Sequence, residues 1–96
     1  GLNPLLHSEL RLGVMSILIG VESADFTYLR KETGATAGNL SVQLDKLSQA
    51  GYITIEKGFN GKIPRTTCRI TPEGTEAFGQ YVEALDHYLK GVKKGK

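Results

Sequence analysis

Residues Thr36 to Ile53, TAGNLSVQLDKLSQAGYI, constrain the fold of this chain more than any other stretch. Leu40, Leu44 and Leu47 recur at the i, i+4, i+7 spacing that lines one buried face of a helix. Thr36 suits the N-cap, because its hydroxyl can accept from an otherwise unpaired backbone N–H of the first turn. Gly51 stands where a left-handed C-terminal cap is wanted, and Tyr52-Ile53 opens a strand-like run. The opposite face carries Ala37, Gly38, Ser41, Val42, Asp45 and Lys46, small residues first and a cation later. Small residues near a helix start let its backbone come close to another surface. Gly38 costs roughly 1 kcal/mol against Ala inside a helix, so a compensating role is expected. Two readings fit: a recognition helix entering the DNA major groove by its N-terminal end, and an ordinary amphipathic helix with a tightly packed glycine.

The flanking segments organise around this helix. Asn3-Pro4 reads as a start signal and Ser8 as the cap of a first helix, about 8–20, with Leu10, Val14, Ile17 and Leu18 on one stripe and Gly20 at its end. Leu12, Met15 and Ile19 fall on its other sides, and a helix apolar on several sides is either central or shared between subunits. Phe26 reads as an apolar anchor in a very short strand, and Thr27 as the cap of a short second helix, 27–33, with Leu29 inward and Gly34 closing it. A short helix, a tight glycine turn and a second helix with a small leading face form the helix-turn-helix pattern. Tyr52 to Lys57 and Arg65 to Ile70 alternate, with Ile53, Ile55, Cys68 and Ile70 on one face. Asn60-Gly61 between them marks a hairpin turn, and Pro64 fits a loop or edge position. The hairpin spans about 52–70 and carries Lys57, Lys62 and Arg65. It reads as a wing or as a plain surface hairpin. Thr71-Pro72-Glu73 opens a last helix, about 71–91: Thr71 caps, Pro72 suits the first position, and Glu73 and Glu76 favour the positive end of the dipole. Phe78, Tyr81, Leu85, Tyr88 and Val92 repeat at alternating spacings of four and three, a short heptad-like seam. The seam packs either on the first helix or on a second subunit; with the many-sided first helix, a dimer interface of Leu12, Met15, Ile19, Phe78, Tyr81, Leu85, Tyr88 and Val92 is expected.

The chain of 96 residues fits a single domain, 1–96, with little room for a deep cleft. Its net charge of +2 does not announce an anionic partner. Its distribution does: residues 36–70 carry Lys46, Lys57, Lys62, Arg65 and Arg69 against Asp45 and Glu56, while 71–90 carry Glu73, Glu76, Glu83 and Asp86 against Lys90. Lys93, Lys94 and Lys96 follow. Cys68 stands alone, so no internal disulfide forms, and a reducing, cytoplasmic setting is expected. No apolar run approaches the roughly 18 residues of a membrane span. His7 and His87 lie far apart and offer, with Cys68, no zinc-ligand spacing. No phosphate loop or nucleophile elbow appears. The expectation is a non-enzymatic chain without cofactor or metal, in which Cys68 is a small core residue or, alternatively, a redox sensor.

Taken in order, HSELRLGVMSIL at 7–18, DFTYLRKETGATAGNLSVQLDKLSQAGYI at 25–53 and KIPRTTCRITPEGTEAF at 62–78 resemble the winged helix-turn-helix transcriptional regulators of the MarR/ArsR-like type, especially the compact winged-helix DNA-binding domains. The combination of T-x-G-N-L-S, L-x-x-L-x-x-x-G-Y-I, P-R-T and I-T-P-E-G carries the likeness. It implies an α+β, mostly helical fold: a winged helix-turn-helix with a two-stranded hairpin wing and a C-terminal dimerisation helix. It implies a homodimer on pseudo-palindromic double-stranded DNA, helix 36–50 in the major groove and the 57–66 wing on backbone or minor groove. By position, Thr36, Ala37, Gly38, Asn39, Ser41, Val42, Gln43 and Lys46 would face DNA, joined by Lys62, Arg65 and Thr67 from the wing. Thr36, Asn39, Lys46 and Lys62 suit phosphate, and Ser41, Val42 and Gln43 suit base edges. The chain departs from the metal-sensing branch in lacking Cys and His clusters. It also lacks the long flanking helices that shape effector pockets, so an effector is left open. The same fold can serve as a protein-interaction module without DNA.

Overall fold

The computed structural model describes residues 1–94, in the order α1 (Glu9–Leu18), β1 (Ala24–Asp25), α2 (Phe26–Thr33), α3 (Ala37–Gln49), β2 (Ile53–Asn60), β3 (Ile63–Ile70) and α4 (Pro72–Lys94). Lys96 lies outside the described residues. Ser8 caps α1, its hydroxyl accepting from the Arg11 N–H, and Val14, Met15 and Leu18 are its buried residues. Thr36 caps α3 by accepting from the Asn39 N–H at 3.2 Å, and Leu40, Leu44 and Leu47 form its inner stripe as their spacing demands. Past the end of α3 the Tyr52 N–H donates to the Leu47 carbonyl and the Gly51 N–H to that of Ser48, the paired bonds of a Schellman ending. Gly51 supplies the left-handed φ of 81° that this ending needs.

The second helix begins earlier than its residues suggest. Asp25, not Thr27, is its cap, accepting from the Tyr28 N–H at 2.8 Å, and Phe26 is its first residue rather than a strand residue. The short strand is Ala24–Asp25, which pairs antiparallel with β3 at Cys68 and Thr67 and makes the sheet three-stranded, in the order β1-β3-β2.

The hairpin turn also differs from expectation. Asn60 pairs with Ile63, so the two turn residues are Gly61 and Lys62 rather than Asn60 and Gly61. The shift follows from the core: this register sets Ile53 against Ile70 and Ile55 against Cys68. A turn one residue earlier would set Ile55 opposite Thr66 and leave Ile70 beyond the end of β2. Gly61 alone carries positive φ, 67°, as a type II′ turn requires. Pro64 lies within β3, opposite Phe59, at a position β1 does not reach. Its missing N–H therefore faces the open side of the ladder, where no bond is lost.

The core joins Val14, Met15 and Leu18 of α1 to Leu29, the α3 leucines, Ile53, Cys68, Ala77 and Tyr81. Leu6, ahead of α1, is fully buried in it. The segment before α1 is tied down further: Asn3 Nδ2 donates to the Tyr52 hydroxyl at 3.0 Å, and His7 Nδ1 lies 2.9 Å from the Tyr81 hydroxyl. Met15 and Tyr81, expected at a subunit interface, are 0% and 4% exposed within one protomer. They close its own core and are not free to meet a partner. Leu12, Phe78 and Leu85 are half-buried, whereas Ile19, Tyr88 and Val92 are exposed.

The first turn of α4 is seated tightly. The Thr71 hydroxyl donates to the Gly51 carbonyl at 2.6 Å and accepts from the Gly74 N–H at 3.0 Å, capping the helix as its residues predict. A Cβ at Gly74 would fall 2.1 Å from the Tyr52 carbonyl oxygen. Only glycine lets α4 approach the chain this closely where it leaves α3. At 23 residues α4 is about 34 Å long. Its described side chains from Asp86 onward are all exposed, so its C-terminal part stands clear of the core.

Candidate nucleic-acid interface

Burying Leu40, Leu44 and Leu47 turns the remaining side of α3 outward. Thr36, Ala37, Gly38, Asn39, Ser41, Val42, Asp45 and Lys46 are all exposed there. Gly38 is not the tightly packed glycine of the alternative reading: a Cβ at that position would meet nothing within 4 Å. The leading turn is therefore low and bare without serving any contact inside the protomer.

Gln43 is placed differently. It is half-buried, and its Oε1 accepts from Arg11 Nη1 of α1, while its Nε2 donates to Asn39 Oδ1 at 2.9 Å. Arg11 is anchored in turn, its Nε donating to the Leu5 carbonyl at 2.6 Å. A relay runs from the segment before α1 to the second turn of α3. Its outcome is chemical: the Asn39 oxygen is occupied within the protein, so its amide presents two N–H donors outward. Gln43, expected to read a base, makes both of these hydrogen bonds within the protein.

The hairpin lies against α3 through β2. Ser41 and Asp45 of α3 line a groove with Lys57 and Thr66 of the hairpin, so the bare face and the ribbon border the same depression. Lys62 is exposed at the turn. Arg65 is committed elsewhere, its guanidinium 3.4 Å from Asp25, the residue that caps α2. Arg69 likewise meets Glu56 at 3.3 Å. Thr67 is half-buried in the middle of the sheet, paired with both Asp25 and Glu56. Of the expected wing contacts, Lys62 is exposed at the turn, Arg65 is paired with Asp25, and Thr67 lies in the three-stranded part of the sheet. Lys57 was not among the expected contacts, yet it borders α3. The alternation Ile53, Ile55, Lys57 already put it on the face turned toward that helix.

Cys68 is fully buried, and desolvation pushes its thiol from 9.0 up to about 11. At neutral pH it carries no reactive thiolate and serves as a small core residue. Among the described residues no group of three His, Cys, Asp or Glu side chains is placed to hold a metal ion, and no helix is long and apolar enough to cross a membrane.

A glycine-turned pair of helices, the second with a bare outward face, followed by a hairpin leaning on that helix, defines a winged helix-turn-helix. A family model described as winged helix DNA-binding domain matches residues 10–89. The chain belongs to that family. An uncharacterized protein of Methanocaldococcus jannaschii is 29% identical over 90 residues, covering 93% of this chain and 97% of its own. The solved structure of a transcriptional regulator homologue from Pyrococcus horikoshii is 28% identical, with a TM-score of 0.85 over 92% of this chain and 87% of that one. A MarR-family transcriptional regulator from Silicibacter pomeroyi shares the fold at 19% identity, with a TM-score of 0.69 over 95% of this chain and 60% of its own.

Proposed function

We propose that this chain is a transcriptional regulator that acts by binding, without catalysis, and that it holds double-stranded DNA sequence-specifically as a homodimer. Helix α3 lies in the major groove and the hairpin rests on backbone or minor groove. The observation that carries the reading is the open leading turn of α3 at Gly38, beside a groove shared with Lys57. Thr36, Asn39, Lys46 and Lys62 position the protein on phosphates, and Ser41 and Val42 touch base edges. Resemblance to solved regulators supports the same assignment.

The test is selection of genomic duplex fragments by the purified protein, followed by titration at two salt concentrations. A symmetric enriched sequence is expected, with affinity falling steeply as salt rises, by about 10³-fold or more between 50 and 200 mM if about six or more phosphates are contacted. Gly38→Glu leaves thermal stability intact, since a carboxylate near a helix N-terminus is favourable, but places a negative charge against the DNA and abolishes retention. Unchanged duplex affinity in both Gly38→Glu and Lys46→Ala would defeat the proposal. A protein-interaction scaffold is the second reading, favoured by the internal pairing of both wing arginines. Capture of a protein on α3 with no duplex retained would select it.

A further inference from the structure

The outer half of the hairpin is unusual in what it leaves bare. Phe59 is 74% exposed and Ile63 70%, the highest values of any large apolar side chain among the described residues. Pro64 lies opposite Phe59 on the same face and Ile63 projects from the other, so the tip is apolar on both faces. Phe59 follows Ile53, Ile55 and Lys57 at every second position. It therefore leaves the ribbon on the face that packs against α3.

The pairs Lys57–Thr66, Gly58–Arg65, Phe59–Pro64 and Asn60–Ile63 extend past the last contact with β1. At ~3.4 Å per residue the ribbon reaches about 14 Å beyond its support. Residues 57–65 hold Lys57, Lys62 and Arg65 and no acid, which suits a polyanion. The arginine whose charge would suit a narrow groove is paired with Asp25. What the tip offers is an aromatic ring and an aliphatic side chain between two lysines.

We infer that the hairpin tip inserts Phe59, with Pro64 beside it on the same face, as an apolar wedge into the DNA minor groove beside the α3 site, at a base step that unstacks easily. The inference rests on the DNA-binding reading proposed above. A minor groove about 6 Å wide admits a single side chain but not the whole ribbon. Apolar wedges of this kind part a base step and kink the duplex, and pyrimidine–purine steps such as TA and CA yield most easily. Specificity at the flank thus comes from deformability, with Lys57 and Lys62 holding the neighbouring phosphates.

The experiment uses a duplex recovered by genomic selection, with the flanking step changed among TA, CA and a stiff A-tract, and 2-aminopurine placed at that step. The wild-type protein should favour TA or CA flanks and raise the 2-aminopurine fluorescence on binding. Phe59→Ala should weaken binding to those flanks about tenfold, remove the flank preference and the fluorescence rise, and leave the salt slope and thermal stability unchanged. Lys62→Ala should lower the salt slope by about one and keep the preference. If Phe59→Ala retains preference and fluorescence while Gly38→Glu abolishes binding, the wedge is wrong and the DNA reading stands. A loss of self-association instead of DNA affinity would make the tip a protein contact and overturn the wedge. Failure of the wild-type protein to retain any duplex overturns both.

Discussion

Gly74 illustrates what a single position can demand. Its neighbours Thr71, Pro72 and Glu73 announce a helix start by local chemistry, and the structure has the cap they predict. Nothing local says why the fourth residue is glycine; the reason is the Tyr52 carbonyl, brought in from the end of α3. Because that obstacle is backbone, it cannot rotate away. Gly74→Ala is expected to destabilise the fold by about 1–3 kcal/mol or more, as overpacking does, read as a lower denaturant midpoint with unchanged slope. A midpoint equal to that of the unaltered protein would show that α4 can move off its seat at no cost. Met15, Gln43 and Arg65 follow the same rule. Their helix or strand positions were legible from spacing, but their partners sit on distant elements. A residue that periodicity aims outward or sideways can still be claimed by a neighbour that no window of sequence contains.

At the scale of elements, caps and periodicity located every helix within a few residues, because a cap and the stripe it begins are close in sequence. The exceptions came where two signals competed. Asp25 and Thr27 are both good caps, and Asp25 prevails as the residue that also ends β1 and meets Arg65. Asn60-Gly61 and Gly61-Lys62 are both possible turns, and the pairing of four apolar residues decides. The exposed face of α3 was readable; the relay crossing to it from α1 was not, since Arg11 and Gln43 are separated by 32 positions. That relay makes a distinctive prediction. If Gln43 orients Asn39 toward phosphate, Arg11→Met, which removes the donor behind it, should reduce affinity for the selected site and for non-specific duplex alike, by about tenfold, and keep the site preference. Full affinity in Arg11→Met, with preference lost in Gln43→Ala, would return Gln43 to the role of a base reader.

At the scale of the molecule, the chain measures 59 × 25 × 21 Å, long in one direction. The exposed part of α4 carries Tyr88, Leu89 and Val92, which are 60%, 54% and 50% exposed. In the proposed homodimer these residues meet their copies, joined by the half-buried Leu85. Leu89→Glu should therefore yield a folded monomer in sedimentation, and its melting temperature should no longer rise with protein concentration as that of an obligate pair does. An unchanged sedimentation coefficient would place the subunit contact elsewhere. The seam itself was readable from sequence. Its division was not: Tyr81 turns inward to close the core, and the same spacing then continues past the point where the core stops.

The seat of α4 on the carbonyl that follows α3 has a mechanical consequence for such a pair. The rod that would join two subunits bears directly on the end of each reading element, with no loop between them to absorb a change of angle. A swing of about 5° in a rod of about 34 Å carries its far end by about 3 Å, close to the ~3.4 Å step between stacked bases. In the proposed homodimer the contact at Gly74 would thus be a calliper joint: small adjustments there would set which separation of half-operators the two arms can span together.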